Sequence, residues 1–359
     1  MKDSIKKSVA YVVENTDNIQ FKYRVKNIIE ALGGNRRWSG KCYLKNEIQK
    51  INFREINILI ISRQTEKGYK IIKLIKIARV AGVRVLFDVD DSIFDYQDLR
   101  LIKDSVQEKS LLYWIGYFWG VRRIAKKVDG FLCTNEFLAE KLKRSFGKPV
   151  KVIRNSLNEK QVEISEKLIK EKLLKKDKNR DFLIGYFSGS PTHARDFAMI
   201  EDELMRFLEK NEDARLRVVG YMDFSQKMKK MIGEGKVETI GVVDYLELEK
   251  MVAEVDVNIA PLVVNDFTNC KSELKFFEAG VVETTTIASS TYAFKKAIKD
   301  GENGFLAQTG EWYDKLEYLY KHPTENRKIA KKAREYALKH YYGKEFLEEV
   351  ETAYDYFAK

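Results

Sequence analysis

Apolar runs of strand length alternate with amphipathic helical stretches along most of this chain, and they do so in two separate sets. The first set is SVAYVVE, INILIIS, VRVLFDV, GFLCT and VKVIRN. Between them lie stretches such as YRVKNIIEAL and YKIIKLIKIARVAG, in which apolar residues recur every three or four positions. A short continuous apolar run suits a strand buried on both faces, so the pattern predicts a parallel sheet covered by helices on each side. After VKVIRNSLNEK a lysine-rich stretch without strand pattern runs to about residue 180. The alternation then restarts as FLIGYFSGS, LRVVGYM, VETIGVV, VNIAPLV and TTTIASS.

The expected fold class is therefore α/β, with two Rossmann-like domains facing across a cleft. Their expected extents are residues 1–160 and 181–335, joined by a linker at 161–180, with a last helix over 336–359 packing back on the first domain. A chain of 359 residues is long enough for two cores of ordinary size. In open parallel sheets, ligands bind beyond the carboxyl ends of the strands, so the loops at those ends are where chemistry is expected.

Composition narrows the function classes. The formal net charge is +11, but the lysines are spread through helical stretches such as EKLIKEKLLKKDKNR, as on solvated helix faces. Nothing resembles a nucleic-acid module, so no nucleic-acid partner is expected. Cys42, Cys133 and Cys270 are odd in number and far apart, which argues against a disulfide framework or a zinc site and points to a reducing cytoplasm. No window reaches the roughly 18 to 20 apolar residues of a membrane span. SVAYVVE reads as a first strand, not as a signal peptide.

Three strand-end segments carry polar residues suited to a site. In GYFSGSPTHARDF a strand ends at Phe187, followed by the small turn Ser188, Gly189 and Ser190 and a helix starting near Thr192 to Asp196. Small residues let backbone amides approach a phosphate, the helix N-terminus favours an anion, and His193 and Arg195 can reach the same group. The same letters also fit an ordinary turn with Ser190 capping a helix before Pro191. In DFTNCKSELKFFEAG, Lys271 is placed to pair with a diphosphate and Ser272 to cap the next helix. Glu278 stands among core-facing residues of that helix, where a ribose diol offers two donors to its carboxylate; a surface pair with Lys275 is the alternative. In VRVLFDVDDSIFDY, Asp88, Asp90 and Asp91 end a strand. They suit either a divalent cation or the orientation and deprotonation of a hydroxyl, and Asp91 with Ser92 also suits a turn.

LLYWIGYFWGVRRIAKK, within residues 111–127, sets aromatic residues beside Arg122, Arg123, Lys126 and Lys127. Such a helix fits the headgroup level of an anionic membrane or the core of the first domain.

The segments IGYFSGSPTHARDF, LRVVGYMD, VDVNIAPLVVNDFTNCKSELKFFEAG and TIASS followed by AIKDGENGFLA resemble, in order and spacing, the carboxyl half of GT-B glycosyltransferases of retaining family 4, glycosyl transferases group 1. FKYRVKNIIEAL, VRVLFDVDDSIFD, CTNEFLAEKL and VKVIRNSLN resemble the acceptor-side domain of its bacterial polysaccharide members. The resemblance implies transfer of a sugar from a nucleoside diphosphate donor to a hydroxyl of a glycan, lipid-linked or protein-linked acceptor, with retention and with no metal or other cofactor. In the family's E-x7-E motif the second glutamate binds the ribose, and Glu278 matches it; the first falls on Cys270. The expected catalytic residues are Lys271, Glu273 and Asp90. The expected donor contacts are Ser188, Gly189, Ser190, His193, Arg195, Asn269, Lys271 and Glu278. Two departures accompany Cys270. The family's phosphate-binding Arg/Lys pair is not reproduced, so Lys271 and Arg195 stand in for it, and Glu283, Thr284 and Thr285 occupy the place of a Gly-x-Pro. The competing readings are a metal-dependent GT-A-like transferase using Asp88 and Asp90, and a non-catalytic subunit that partners an active enzyme.

Overall fold

The structure, a computed structural model, describes residues 6–63, 69–105, 110–174, 181–189 and 194–359. The chain divides into two compact units. The first comprises Met1–Asn158, Asn269–Ser272 and Lys339–Lys359; the second comprises Glu159–Thr268 and Glu273–Leu338.

The first unit is built on six parallel strands: β1 (Lys7–Val13), β2 (Trp38–Leu44), β3 (Ile58–Ser62), β4 (Arg84–Val89), β5 (Gly130–Cys133) and β6 (Val150–Val152). They lie in the order β2-β1-β3-β4-β5-β6. Every residue of β3 is buried, as its unbroken apolar run requires. The pleat sends Leu59 and Ile61 into one core with Phe87, Leu74, Ile124 and Leu138. Ile58 and Ile60 go to the other face, where they meet Val25, Ile28 and the C-terminal helix Gly343–Phe357 through Phe346, Val350 and Tyr354. Gly130 permits part of that packing: a Cβ there would sit 2.4 Å from a Phe357 ring carbon.

The second unit repeats the plan with β7 (Phe182–Ser188), β8 (Ala214–Gly220), β9 (Val237–Ile240), β10 (Val257–Ala260), β11 (Thr285–Ser289) and β12 (Phe305–Ala307). All are parallel, in the order β12-β11-β10-β7-β8-β9. The strands after β7 first step outward on one side, and the chain then returns to the other side at β10. The topological switch point is therefore between β7 and β10. In the first sheet it lies between β1 and β3.

One expectation is corrected here. Residues 161–174, read as linker, form most of the helix Glu159–Leu174, which belongs to the second unit. Its sparse apolar face hid it, but Lys172 Nζ donates to the carbonyl of Glu283 at 2.8 Å and to Thr284 Oγ1 at 3.1 Å, tying it down. Among the described residues no helix is long and apolar enough to cross a membrane.

Candidate functional site

In the second unit, Ser188 ends β7 and pairs in register with Gly220 at the end of β8. Gly220 has φ +103°, and a Cβ on it would lie 1.9 Å from the Ser188 carbonyl oxygen, so only glycine lets the two strand ends approach this closely. Gly189 follows exposed, while Ser190 and His193 lie outside the described residues. Arg195 is exposed on the short helix Ala194–Ala198. Its neighbour Asp196 is buried and accepts a hydrogen bond from the Val263 amide at 2.9 Å, joining the segment after β7 to the loop after β10. Ser289 Oγ, at the end of β11, accepts from the Leu262 amide at 2.8 Å. The ends of β7, β8, β10 and β11 are thus tied to one another around the switch point.

The helix Leu274–Val281 buries Phe276, Phe277, Ala279 and Val281 and leaves Glu278 half-buried. Its start is fixed by Asn258 Nδ2, which donates to the Lys275 carbonyl at 3.1 Å. The residue heading this helix is Glu273, itself buried, and no side chain caps the turn. Ser272, expected as the cap, is instead engaged in the first unit: its Oγ accepts from Asn155 Nδ2 at 2.9 Å.

Residues 269–272 pack wholly with the first unit. Asn135 Nδ2 donates to the carbonyls of Asn269 at 3.3 Å and Lys271 at 3.1 Å, while its Oδ1 caps the helix Glu136–Phe146 through the Leu138 amide at 2.9 Å. Cys270 is fully buried among the apolar side chains of the first core. Burial pushes its thiol up to about 12, so it stays neutral. Lys271, expected beside the Ser188–Gly189 turn, sits with its ammonium 3.6 Å from Asp91 Oδ1.

Asp91 belongs to a compact set of charges at the carboxyl edge of the first sheet. Asp88 is bound by Arg24 through Nε at 3.1 Å and Nη2 at 2.5 Å, and both side chains are only 2% exposed. Arg24 also donates to the carbonyl of Ile153 and, at 3.4 Å, to Asn155 Oδ1. Arg63 immediately follows β3 and takes the remaining acids: its Nη1 donates to Asp90 Oδ1 at 2.9 Å and to Asp91 Oδ2 at 3.0 Å. The environments of the two carboxylates diverge. Burial raises the Asp90 pKa; Arg63 opposes it without overcoming it, and Asp91 and Asp88 add to the rise. Burial works the same way on Asp91, but Lys271 and then Arg63 outweigh it and bring its pKa below the usual carboxylate value.

Sequence reasoning missed Arg24, Arg63, Asn135 and Asn155. Only Arg63 carried a readable signal, as a cation directly after a fully apolar strand in INILIISRQ.

The helix Leu111–Ala125 has two faces. Phe118, Val121 and Ile124 are core residues, whereas Leu111, Leu112, Tyr113, Ile115 and Trp119 face solvent, Leu112 at 79% and Trp119 at 52% exposure. Arg123 lies 5.1 Å from the Trp119 ring centre, and Lys126 and Lys127 are exposed just beyond.

Similarity to known structures extends over nearly the whole chain. HepE from Anabaena in complex with UDP and glucose is 12% identical, with 98% of this chain and 100% of that chain covered and a TM-score of 0.62. Sucrose-phosphate synthase from Thermosynechococcus elongatus is 13% identical over 98% of this chain and 99% of that one, with a TM-score of 0.68. A glycosyltransferase from Rickettsia africae is 13% identical over 99% and 100%, at 0.64. A search among curated proteins finds no match. With two parallel six-stranded sheets, the fold is that of the GT-B glycosyltransferases. More particularly, residues 183–322 match the family model described as Glycosyl transferases group 1.

The burial of Cys270 makes a direct prediction. Restoring an acid with Cys270→Glu places an unpaired carboxylate in the first core and should destabilise the protein by on the order of 3 kcal/mol or more in urea unfolding, whereas Cys270→Ala should cost about 1–2 kcal/mol. A Cys270→Glu protein as stable as wild type would show that position 270 faces water.

Proposed function

We propose that this protein is a hexosyl- or deoxyhexosyltransferase, moving the sugar of a nucleoside diphosphate donor to a hydroxyl of a bacterial glycan or glycoconjugate with retention and without a metal. The observation that carries the reading is the switch point between β7 and β10, flanked by the Ser188–Gly189 turn and the Glu278 helix inside the group 1 match. HepE, which shares the fold, is described in complexes with UDP and with UDP-glucose.

In this reading, amides after Ser188 and the exposed Arg195 receive the diphosphate, and Glu278 accepts both ribose hydroxyls. Neutralising the leaving group by fixed donors needs no cation. Asp88 is committed to Arg24, and Asp90 and Asp91 to Arg63, which favours this assignment over a metal held by the same acids. Glu273 and the backbone at Asn269 are assigned to the sugar, Lys271 to the charge developing near it, and Asp90 to the acceptor hydroxyl.

Glu278→Ala should weaken UDP binding by about 2–4 kcal/mol, measured by calorimetry, because two ribose hydroxyls lose a charged acceptor. A folded mutant that binds UDP as wild type does removes the ribose assignment. UDP release from UDP-glucose should survive EDTA; loss on chelation with recovery in Mn²⁺ would transfer the donor to Asp88 and Asp90. Cys270, in place of an acid, also favours the reading of a non-catalytic subunit, and absence of turnover by the single chain alongside intact UDP binding would support it.

We further assign the solvent-facing side of Leu111–Ala125 to the surface of an anionic membrane, where a lipid-linked acceptor would reside at the cytoplasmic face. Exposed apolar side chains beside Arg123, Lys126 and Lys127 suit that interface. A Leu112→Ser, Trp119→Ser double mutant should lose most flotation with phosphatidylglycerol vesicles while keeping its melting temperature, and salt should weaken wild-type binding. Unchanged flotation would end the assignment.

A further inference from the structure

Arg63 has a backbone that most residues avoid. Its φ is +30°, outside the usual range for a side chain with a Cβ. Such a conformation persists only where the surroundings impose it. Here the Arg63 amide donates to the Asp88 carbonyl at 2.9 Å, fastening the end of β3 to β4, while the side chain turns back over the two acids beyond β4. A single nitrogen, Nη1, bonds one oxygen from each acid. The guanidinium remains 21% exposed and Asp90 14% exposed, so this pair is not sealed in the core. The residue also stands at the carboxyl end of the strand that borders the first sheet's switch point.

We infer that Arg63 is the positioning residue for the acceptor carboxylate: it bridges Asp90 and Asp91 through one nitrogen and fixes their orientations, with Lys271 pairing Asp91, and leaves Asp90 to receive the acceptor hydroxyl. This rests on the glycosyltransferase reading above. The acceptor oxygen forms the new bond to the anomeric carbon as the bond from that carbon to the diphosphate oxygen breaks. The electron pair leaves with the diphosphate, and the hydroxyl proton passes to Asp90. Arg63 touches neither reactant and acts through the carboxylate. The groups that face Asp90 are Arg63 beyond β3, Asp88 within β4, Asp91 beside it, Arg24 from the helical segment Lys22–Lys26 and the Tyr117 hydroxyl from the helix Leu111–Ala125, which also bonds Arg63; Lys271 acts on it at one remove, through Asp91.

The sign of the effect follows. Arg63 favours ionised Asp90, so removing it must raise the Asp90 pKa and move the acid limb of any Asp90-dependent rate to higher pH. The test is a carboxyl titration of the full chain carrying ¹³C-labelled aspartate, with the Asp90 signal identified by its loss in Asp90→Asn. In Arg63→Gln its midpoint should rise by about one pH unit, and Arg63→Lys should recover most of that shift. With UDP-glucose as donor and water as acceptor, UDP release should fall about tenfold or more in Arg63→Gln, its acid limb should move with the NMR midpoint, and UDP affinity should not change. An Asp90 midpoint equal in wild type and Arg63→Gln, in proteins with the same melting temperature, overturns the inference whatever the activity. If wild type binds no UDP, the glycosyltransferase reading fails on its own, and the titration still decides whether Arg63 controls Asp90.

Discussion

A guanidinium and a carboxylate, Arg24 and Asp88, meet almost out of reach of water at the end of β4. Breaking such a pair from one side leaves an uncompensated buried charge and costs about 3–5 kcal/mol, although the pair itself adds little over a well-packed apolar contact. Its consequence is geometric. Arg24 is held by Asp88 and, in the segment beyond β6, by the Ile153 carbonyl and Asn155, so one side chain fixes the separation of β4 from the segment after β6. Asn155 then reaches Ser272, and Asn135 holds the carbonyls on either side of Cys270. With Asp88 consumed, Asp90 and Asp91 are left to a different arginine. The cation that those two acids meet is therefore decided by the neighbouring pair.

Where burial is complete, the sequence could be read directly. β1, β3, β4, β7 and β10 are apolar runs because helices cover both of their faces, and the two sheets follow from them. β2 escaped because it lies at a sheet edge, and WSGKCYL mixes small and polar residues where only one strand neighbours it. β12 is three residues long and falls below any useful window. The helix Glu159–Leu174 was hidden by its charge. For β2 and this helix the cause is the same: partial burial weakens the periodicity that makes an element visible.

The site was legible to the level of strand ends but not of partners. Ser188, Asp90 and Glu278 stand where the spacing put them, at strand ends or on the helix that follows one. Which core accepts residues 269–272 could not be read from spacing, since a loop after β10 can turn to either sheet. The apolar character of Cys270 and the amide of Asn135 decide it in favour of the first unit. That choice moves Lys271 from an expected phosphate to an observed carboxylate. The known structures at 12–13% identity share the fold although few of the letters agree.

In the proposed reading a nucleoside diphosphate binds at the carboxyl edge of the second unit's sheet. Amide hydrogen exchange of the full chain with and without excess UDP tests it most directly, since a bound ligand slows local opening where it touches. Bound UDP should bring new protection at residues 186–189 and 273–279 and none at 88–94. Protection at 88–94, with the second unit unchanged, would contradict it and place the donor on the aspartates.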